Sequence, residues 1–382
     1  MVAELVRSTR LVRPAPPGAV YPAQAWLAGT LILTLGAAGA AIALAPPAGA
    51  PAPEGLAFLL FVGSSVHVAS TGWFYTVPDV RAHMRRHRSR YIWWPIALIA
   101  GACAIAAALP RTALYWLLLP YFGWQFFHYQ KQNLGLAALC AAAKRLVPLS
   151  SAERRALTGA GVAGITGLAG RPGLLQLPIR PPVPALTPVA AIAFACCVAA
   201  GTGCLLARPR SQRPAGFCVV YLTGLAFSLP VFLFSSPYAA VAGLTVAHGL
   251  QYLLLMALLA AGSGASTGTS TGTSPGTSTV AGSRGTRTLS LAALCNIALL
   301  GGAALSVASD QLAAGPALRW VYGLFLGVVM AHFVIDAGMW RMRQEFPRAF
   351  LRERLPYLLP GDVRGHATPA KHPHADPSSG DI

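Results

Sequence analysis

Apolar runs of about twenty residues recur along this chain, separated by short clusters of arginine. At ~1.5 Å of helix rise per residue, such a run crosses a hydrocarbon layer about 30 Å thick. Inside that layer the backbone must satisfy its own N–H and C=O groups, so the runs have to be helices. Composition agrees: of 382 residues, 55% are hydrophobic and only 10% charged, against about 25% charged in an ordinary soluble protein. The fold class expected is all-α, a polytopic integral membrane bundle of about ten transmembrane helices.

The spans are expected at 24–45, 55–77, 91–109, 112–143, 156–177, 184–207, 216–236, 238–261, 289–308 and 316–340. The chain then divides into an N-terminal segment 1–23, helices one to eight over 24–261, a linker 262–288, helices nine and ten over 289–340, and a tail 341–382. The linker is a Gly/Ser/Thr repeat too polar to bury a core, and reads as flexible. The tail carries His366, His372 and His374 among Gly, Pro, Asp and Ser, and reads as solvated.

A net charge of +18 invites a nucleic-acid partner, but the positions of the arginines argue against one. They fall in clusters between the apolar runs, at 81–90, 144–155, 208–213, 284–287 and 341–354, and all of these lie on one side if the N-terminus is cytoplasmic. That is topology-setting charge, with the excess on the inner face. The expectation is a multi-pass protein of a bacterial-type inner (plasma) membrane, both termini cytoplasmic, with the lipid bilayer as partner and no nucleic acid.

Some features read as packing. Gly159, Gly161, Gly164, Gly167 and Gly170 form a face another helix can approach closely. Pro120 and Pro230 are candidate breaks in spans four and seven. The seven cysteines show no CxxC spacing and read as small apolar fillers. In the first inner loop, His83 and His87 stand at i+4, but the arginines around them favour lipid headgroups over a cation.

The chemistry is concentrated in four histidines inside apolar spans: His67, His128, His248 and His332. An ionisable ring in hydrocarbon is costly and marks a metal, a partner or a water-filled cavity. All four fall on helices expected to run in the same direction, and at similar depth. Each has polar neighbours on its own helix face: Ser64 and Thr71 beside His67, Gln125 and Gln132 beside His128, Gln251 beside His248, and Asp336 beside His332. The four histidines are the candidate metal ligands. Asp336, Gln132 and Gln251 are the candidate groups for orienting the rings or handling protons. A mainly nitrogen site with a carboxylate nearby fits iron; copper, or haem b held by paired histidines, are the alternatives. Aromatic residues near His67 (Trp73, Phe74, Tyr75) and His128 (Trp124, Phe126, Phe127, Tyr129) read partly as interfacial belt and partly as walls of an apolar pocket.

The strings His67-Val-Ala-Ser-Thr-Gly-Trp-Phe-Tyr, Trp124-Gln-Phe-Phe-His-Tyr-Gln-Lys-Gln-Asn-Leu-Gly, His248-Gly-Leu-Gln-Tyr and His332-Phe-Val-Ile-Asp-Ala-Gly-Met-Trp-Arg-Met-Arg resemble those of a group of bacterial polytopic membrane proteins. That resemblance implies a multi-pass helical fold and no particular activity. His248-Gly249, and His332 with Asp336, are also similar to elements of the Brp/Blh-type carotene-cleaving membrane oxygenases. That resemblance implies a non-haem iron held by membrane histidines. The chain departs from the pattern just after its His-Gly element, where Gln251 and Tyr252 stand in place of a further histidine.

These readings converge on a membrane metal-dependent oxidoreductase of the oxygenase type, acting on a hydrophobic small molecule with electrons from a donor. The alternatives are a haem-binding electron carrier and a proton-coupled transporter. No P-loop, dinucleotide fingerprint or nucleophile elbow is present.

Overall fold

The computed structural model describes residues 17–47, 50–180, 183–262, 279–312 and 315–359. Every regular element among them is a helix. In chain order these are α1 (Pro17–Ala43), α2 (Glu54–Thr76), α3 (Pro78–Arg86), α4 (Ser89–Ala108), α5 (Arg111–Ala143), α6 (Ser151–Gly170), α7 (Leu186–Ala207), α8 (Ala215–Leu225), α9 (Leu229–Leu233), α10 (Tyr238–Ala261), α11 (Thr279–Ser309), α12 (Arg319–Met339) and α13 (Glu345–Arg354).

Seven of these helices are long and apolar enough to cross a membrane: α1, α2, α4, α7, α10, α11 and α12. A helix also stands at each of the other expected spans, but these differ in kind. Within α5, the stretch Gln125–Asn133 is polar because it carries groups used inside the bundle. Gln130 and Asn133 are buried, and Gln130 donates to the carbonyls of Leu157 and Gly224. In α6 the many glycines dilute the apolar character. The seventh expected span is broken at Ala226–Ser228 into the short α8 and α9, with Pro230 in the first turn of the second piece. Pro120 sits inside a continuous α5.

Small residues fix the helix crossings. Gly323 and Gly327 lie against the backbone of α4 at Ala102 and Ile99, which brings α12 and α4 together without intervening side chains. The glycines of α6 serve two faces. Gly159 and Gly170 receive Cys197 and Thr187 of α7, while Gly161, Gly164 and Gly167 receive Gln130, Ser228 and Phe232. At the start of α6, Ser150 and Glu153 form a capping box, and Arg208 grips the Glu153 carboxylate from the end of α7.

Helix α11 starts at Thr279, well before the expected 289, so part of the expected linker is helical. Residues 263–278 and the tail histidines His366, His372 and His374 lie outside the described residues. Trp73 and Phe74 are wholly buried rather than interfacial. Phe74 packs edge-on against Trp340 and Phe350, and the Arg354 guanidinium of α13 lies over the Trp73 and Phe350 rings. Trp93 and Trp94 remain exposed, each at 61%, as belt residues would be.

Candidate metal centre

His67, His128, His248 and His332 come from α2, α5, α10 and α12 and meet in one place. Their rings form a closed circuit, with centroids 5.0 Å apart for His67–His248, 5.0 Å for His248–His128, 5.1 Å for His128–His332 and 5.2 Å for His332–His67.

Backbone features next to each histidine bring the rings this close. A π-helical turn over Val62–Val66 immediately precedes His67 and rotates its face of α2. A side-chain carbon on Gly249, the residue after His248, would overlap the backbone of Gly63. Both residues must therefore be glycine for α2 and α10 to cross where they do. Gly301 and Gly302 let α11 rest on Val66 and Ala69 from the other side. Aromatic rings brace the histidines in turn. Tyr129 stacks on His248 at 4.0 Å and Phe333 on His128 at 4.7 Å.

What distinguishes these rings is the state of their nitrogens. Both ring nitrogens of His67, both of His248, and Nε2 of His128 and His332 are buried without a hydrogen-bond partner. The Gly63 and Ser64 carbonyls lie toward the His67 ring but outside hydrogen-bond geometry. Leaving a buried donor or acceptor unmatched costs about 1–3 kcal/mol, so such a set is expected where ordered water, a metal ion or another ligand meets the nitrogens. Two overlapping triads place their ligand atoms within 4.8 Å of one another: His67, His248 and His332; and His128, His332 and Asp336. Each triad can share one ion and His332 belongs to both, while among the described residues no single group holds all four histidines.

A layer of polar side chains lies one helical turn further along. Thr71, Gln132, Tyr252 and Asp336 each follow a histidine by four residues. Three of them link into a chain. The Tyr252 hydroxyl donates to Asp336 Oδ1 at 2.9 Å, Thr71 Oγ1 lies 2.9 Å from that hydroxyl, and Thr71 Oγ1 lies 2.6 Å from His332 Nδ1. Because the Tyr252 hydroxyl donates to Asp336, Thr71 donates to Tyr252 and accepts from Nδ1–H of His332. That tautomer leaves the Nε2 lone pair of His332 free, on the nitrogen without a partner. The second carboxylate oxygen of Asp336 stands 3.7 Å from His332 Nε2 and 3.9 Å from His128 Nε2.

Gln132 and Gln251 do something different from holding rings. Gln132 Nε2 donates to the His248 carbonyl and to Gln251 Oε1, and Gln251 Nε2 donates to Thr34 Oγ1 of α1 at 2.6 Å. They tie α5, α10 and α1 together beside the centre. Gln125 bonds Tyr129, the residue stacked on His248. Thr71 and Tyr252 join the hydrogen-bond chain beside the histidines, and their i+4 spacing from a histidine is the sequence signal for it. His83 and His87 lie apart from this centre. His83 stacks on Phe346 of α13 at 4.1 Å; burial, then the charges of His87, Arg86 and Arg90, hold its pKa below the ordinary value.

No protein-family model, curated protein or solved structure matches the chain. The site therefore stands on its own chemistry: a membrane helix bundle with buried histidine groups of metal-binding geometry.

Proposed function

We propose that this protein is an integral membrane metal-dependent oxidoreductase of the oxygenase type. His67, His128, His248 and His332 hold a non-haem iron, and Asp336 stands at its edge. The observation that carries this reading is the ring of buried, unpartnered imidazole nitrogens from four helices. Iron is favoured over magnesium because the donor set is nitrogen-rich, over zinc because the proposed reaction needs a redox-active ion, and over haem because rings about 5 Å apart leave no slot for a macrocycle. The similarity of His248-Gly249 and of His332 with Asp336 to elements of carotene-cleaving oxygenases points the same way. Gln251 and Tyr252, which stand where that pattern has a further histidine, direct the substrate reading to a broader class of hydrophobic molecules.

A redox-active ion supplies the electron and oxygen chemistry that side chains lack. The chain's own residues do the rest. Thr71 holds His332 in the tautomer whose Nε2 is free, and the Thr71–Tyr252–Asp336 relay can store or pass a proton beside the reacting atoms. Buried Tyr129 and Phe333 keep water from the centre. The His128 side chain keeps 12% exposure, and Trp124 and Phe127 are exposed beside it on α5. A hydrophobic substrate approaches from that side, directly from the bilayer, while a separate donor supplies electrons. The positive-inside pattern supports a reading with both termini cytoplasmic, in a bacterial-type inner membrane.

The test is elemental analysis of the full chain purified in mild detergent, beside His128→Ala. About one iron per chain is expected in the parent, and a loss in the variant. A parent without stoichiometric metal overturns the reading, and stoichiometric copper replaces iron within it.

A further inference from the structure

Away from the histidines, a groove of about 700 Å³ opens along α5, α6 and α7. Its apolar lining is Leu134, Val162, Ala163, Val189, Ala190 and Ala193. Val162 and Val189 are exposed large apolar residues on its surface. Small residues, Gly159, Ala163, Ala190 and Ala193, create the depression. Lys131, Arg154, Arg155 and Arg343 also line it. Among the described residues, no carboxylate stands within ion-pair distance of any of these four cations. Lys131 lies 5.8 Å over the Phe127 ring, and Arg154 Nε donates to the Leu149 carbonyl.

The three arginines gather at one end of the groove, and Lys131 stands further along beside the apolar lining. Arg154 and Arg155 mark the first turn of α6, and Arg343 follows the last turn of α12. From Arg155 to Thr166, α6 continues for roughly 16 Å as Thr158, Gly159, Val162 and Thr166, a length matching much of an extended acyl chain. A free anion would use only the basic part, and a neutral lipid only the apolar part. Basic pockets between membrane helices are the typical receptors of acidic headgroups.

We infer that this groove is a binding site for one acidic phospholipid, its phosphate held by Arg154, Arg155 and Arg343 and one acyl chain lying along α6 over Val162, beside Lys131. The site is independent of the metal centre, since none of the four histidines lines it.

The test is native mass spectrometry of the full chain released from detergent after incubation with phosphatidylglycerol, phosphatidylcholine or inorganic phosphate. Retention of phosphatidylglycerol well above phosphatidylcholine is expected, with no retained phosphate. The variant Arg154→Gln/Arg155→Gln/Arg343→Gln should reduce phosphatidylglycerol retention at least ~10-fold, the scale of several cations facing an acidic headgroup. Val162→Trp fills the apolar part without changing charge and should lower retention similarly; it decides the matter if the triple variant does not fold. Equal retention of the two lipids, binding of phosphate alone, or unchanged retention in Val162→Trp overturns the proposal. Bound metal measured on the same samples should not change.

Discussion

Two places in this molecule bury polar side chains, and they treat them in opposite ways. At the start of α6, Glu153 is 1% exposed and completely matched. It bonds the Ser150 backbone, and Arg208 meets both its oxygens; Arg208 in turn reaches the carbonyls of Val147 and Pro148. Burial alone would push the Glu153 carboxyl up, but the bonds from Arg208 and Ser150 outweigh it and hold its pKa below 4.5. In the histidine ring the rings are also buried, yet most of their nitrogens meet nothing. A closed cluster of this kind adds stability and specifies a helix crossing; an open one costs stability and keeps lone pairs for a ligand.

The comparison breaks most visibly if a ligand is removed. His248→Ala should lower metal affinity by more than the ~10–100-fold typical of groups that only support a ligand, as measured by competition with a chelator. Retained metal in that variant would make His248 a packing residue. At the closed cluster, Glu153→Gln should cost about 3 kcal/mol, because Arg208 is left partly buried without its counter-charge. Thermal melting in detergent checks this, and bound metal should be untouched.

Thr71→Val should weaken metal binding by about 10-fold through loss of the His332 tautomer, and Thr71→Ser should restore it. A smaller effect, of opposite sign, sharpens the contrast. In metal-free protein, His67→Leu should be neutral or stabilising by about 1 kcal/mol, since it removes two unmatched buried nitrogens. A clear destabilisation of the metal-free form would mean that His67 is structural. Smallest is a pH effect. The lowered Glu153 pKa gives stability that is complete above the unfolded value near 4.5 and is lost as pH falls through the folded one. The parent melting temperature should therefore drop faster than that of Glu153→Gln below pH 4.5.

Much of the centre was legible before any coordinates. Thr71, Gln132 and Asp336 are one turn from a histidine, and a helical period carries that information within five residues. The roles of Gln132 and Gln251 were not legible, because both face each other and α1 instead of a ring, and a side chain's partner on another helix is a matter of crossing angle. The groove was hidden for the same reason, since Lys131, Arg155 and Arg343 lie on three separate helices or their ends. The expected tenfold set of similar spans also differs from seven strongly apolar helices plus the more polar α5, the glycine-rich α6 and the broken α8–α9 pair. Hydropathy averages over a window, and a helix lined by inward polar groups loses apolar weight without leaving the bundle.

Composition and local period therefore decided that this chain is helical, suited to a membrane, and equipped with a histidine on each of four helices. Packing decided that the four rings share one centre, that Thr71, Tyr252 and Asp336 form a single relay, and that Glu153 finds Arg208. The reason is range: helix formation and face pattern are set over a few neighbouring residues. Helix rotation and approach are set by Gly63 against Gly249, Gly323 and Gly327 against α4, and the π turn before His67, contacts that exist only once distant segments are together.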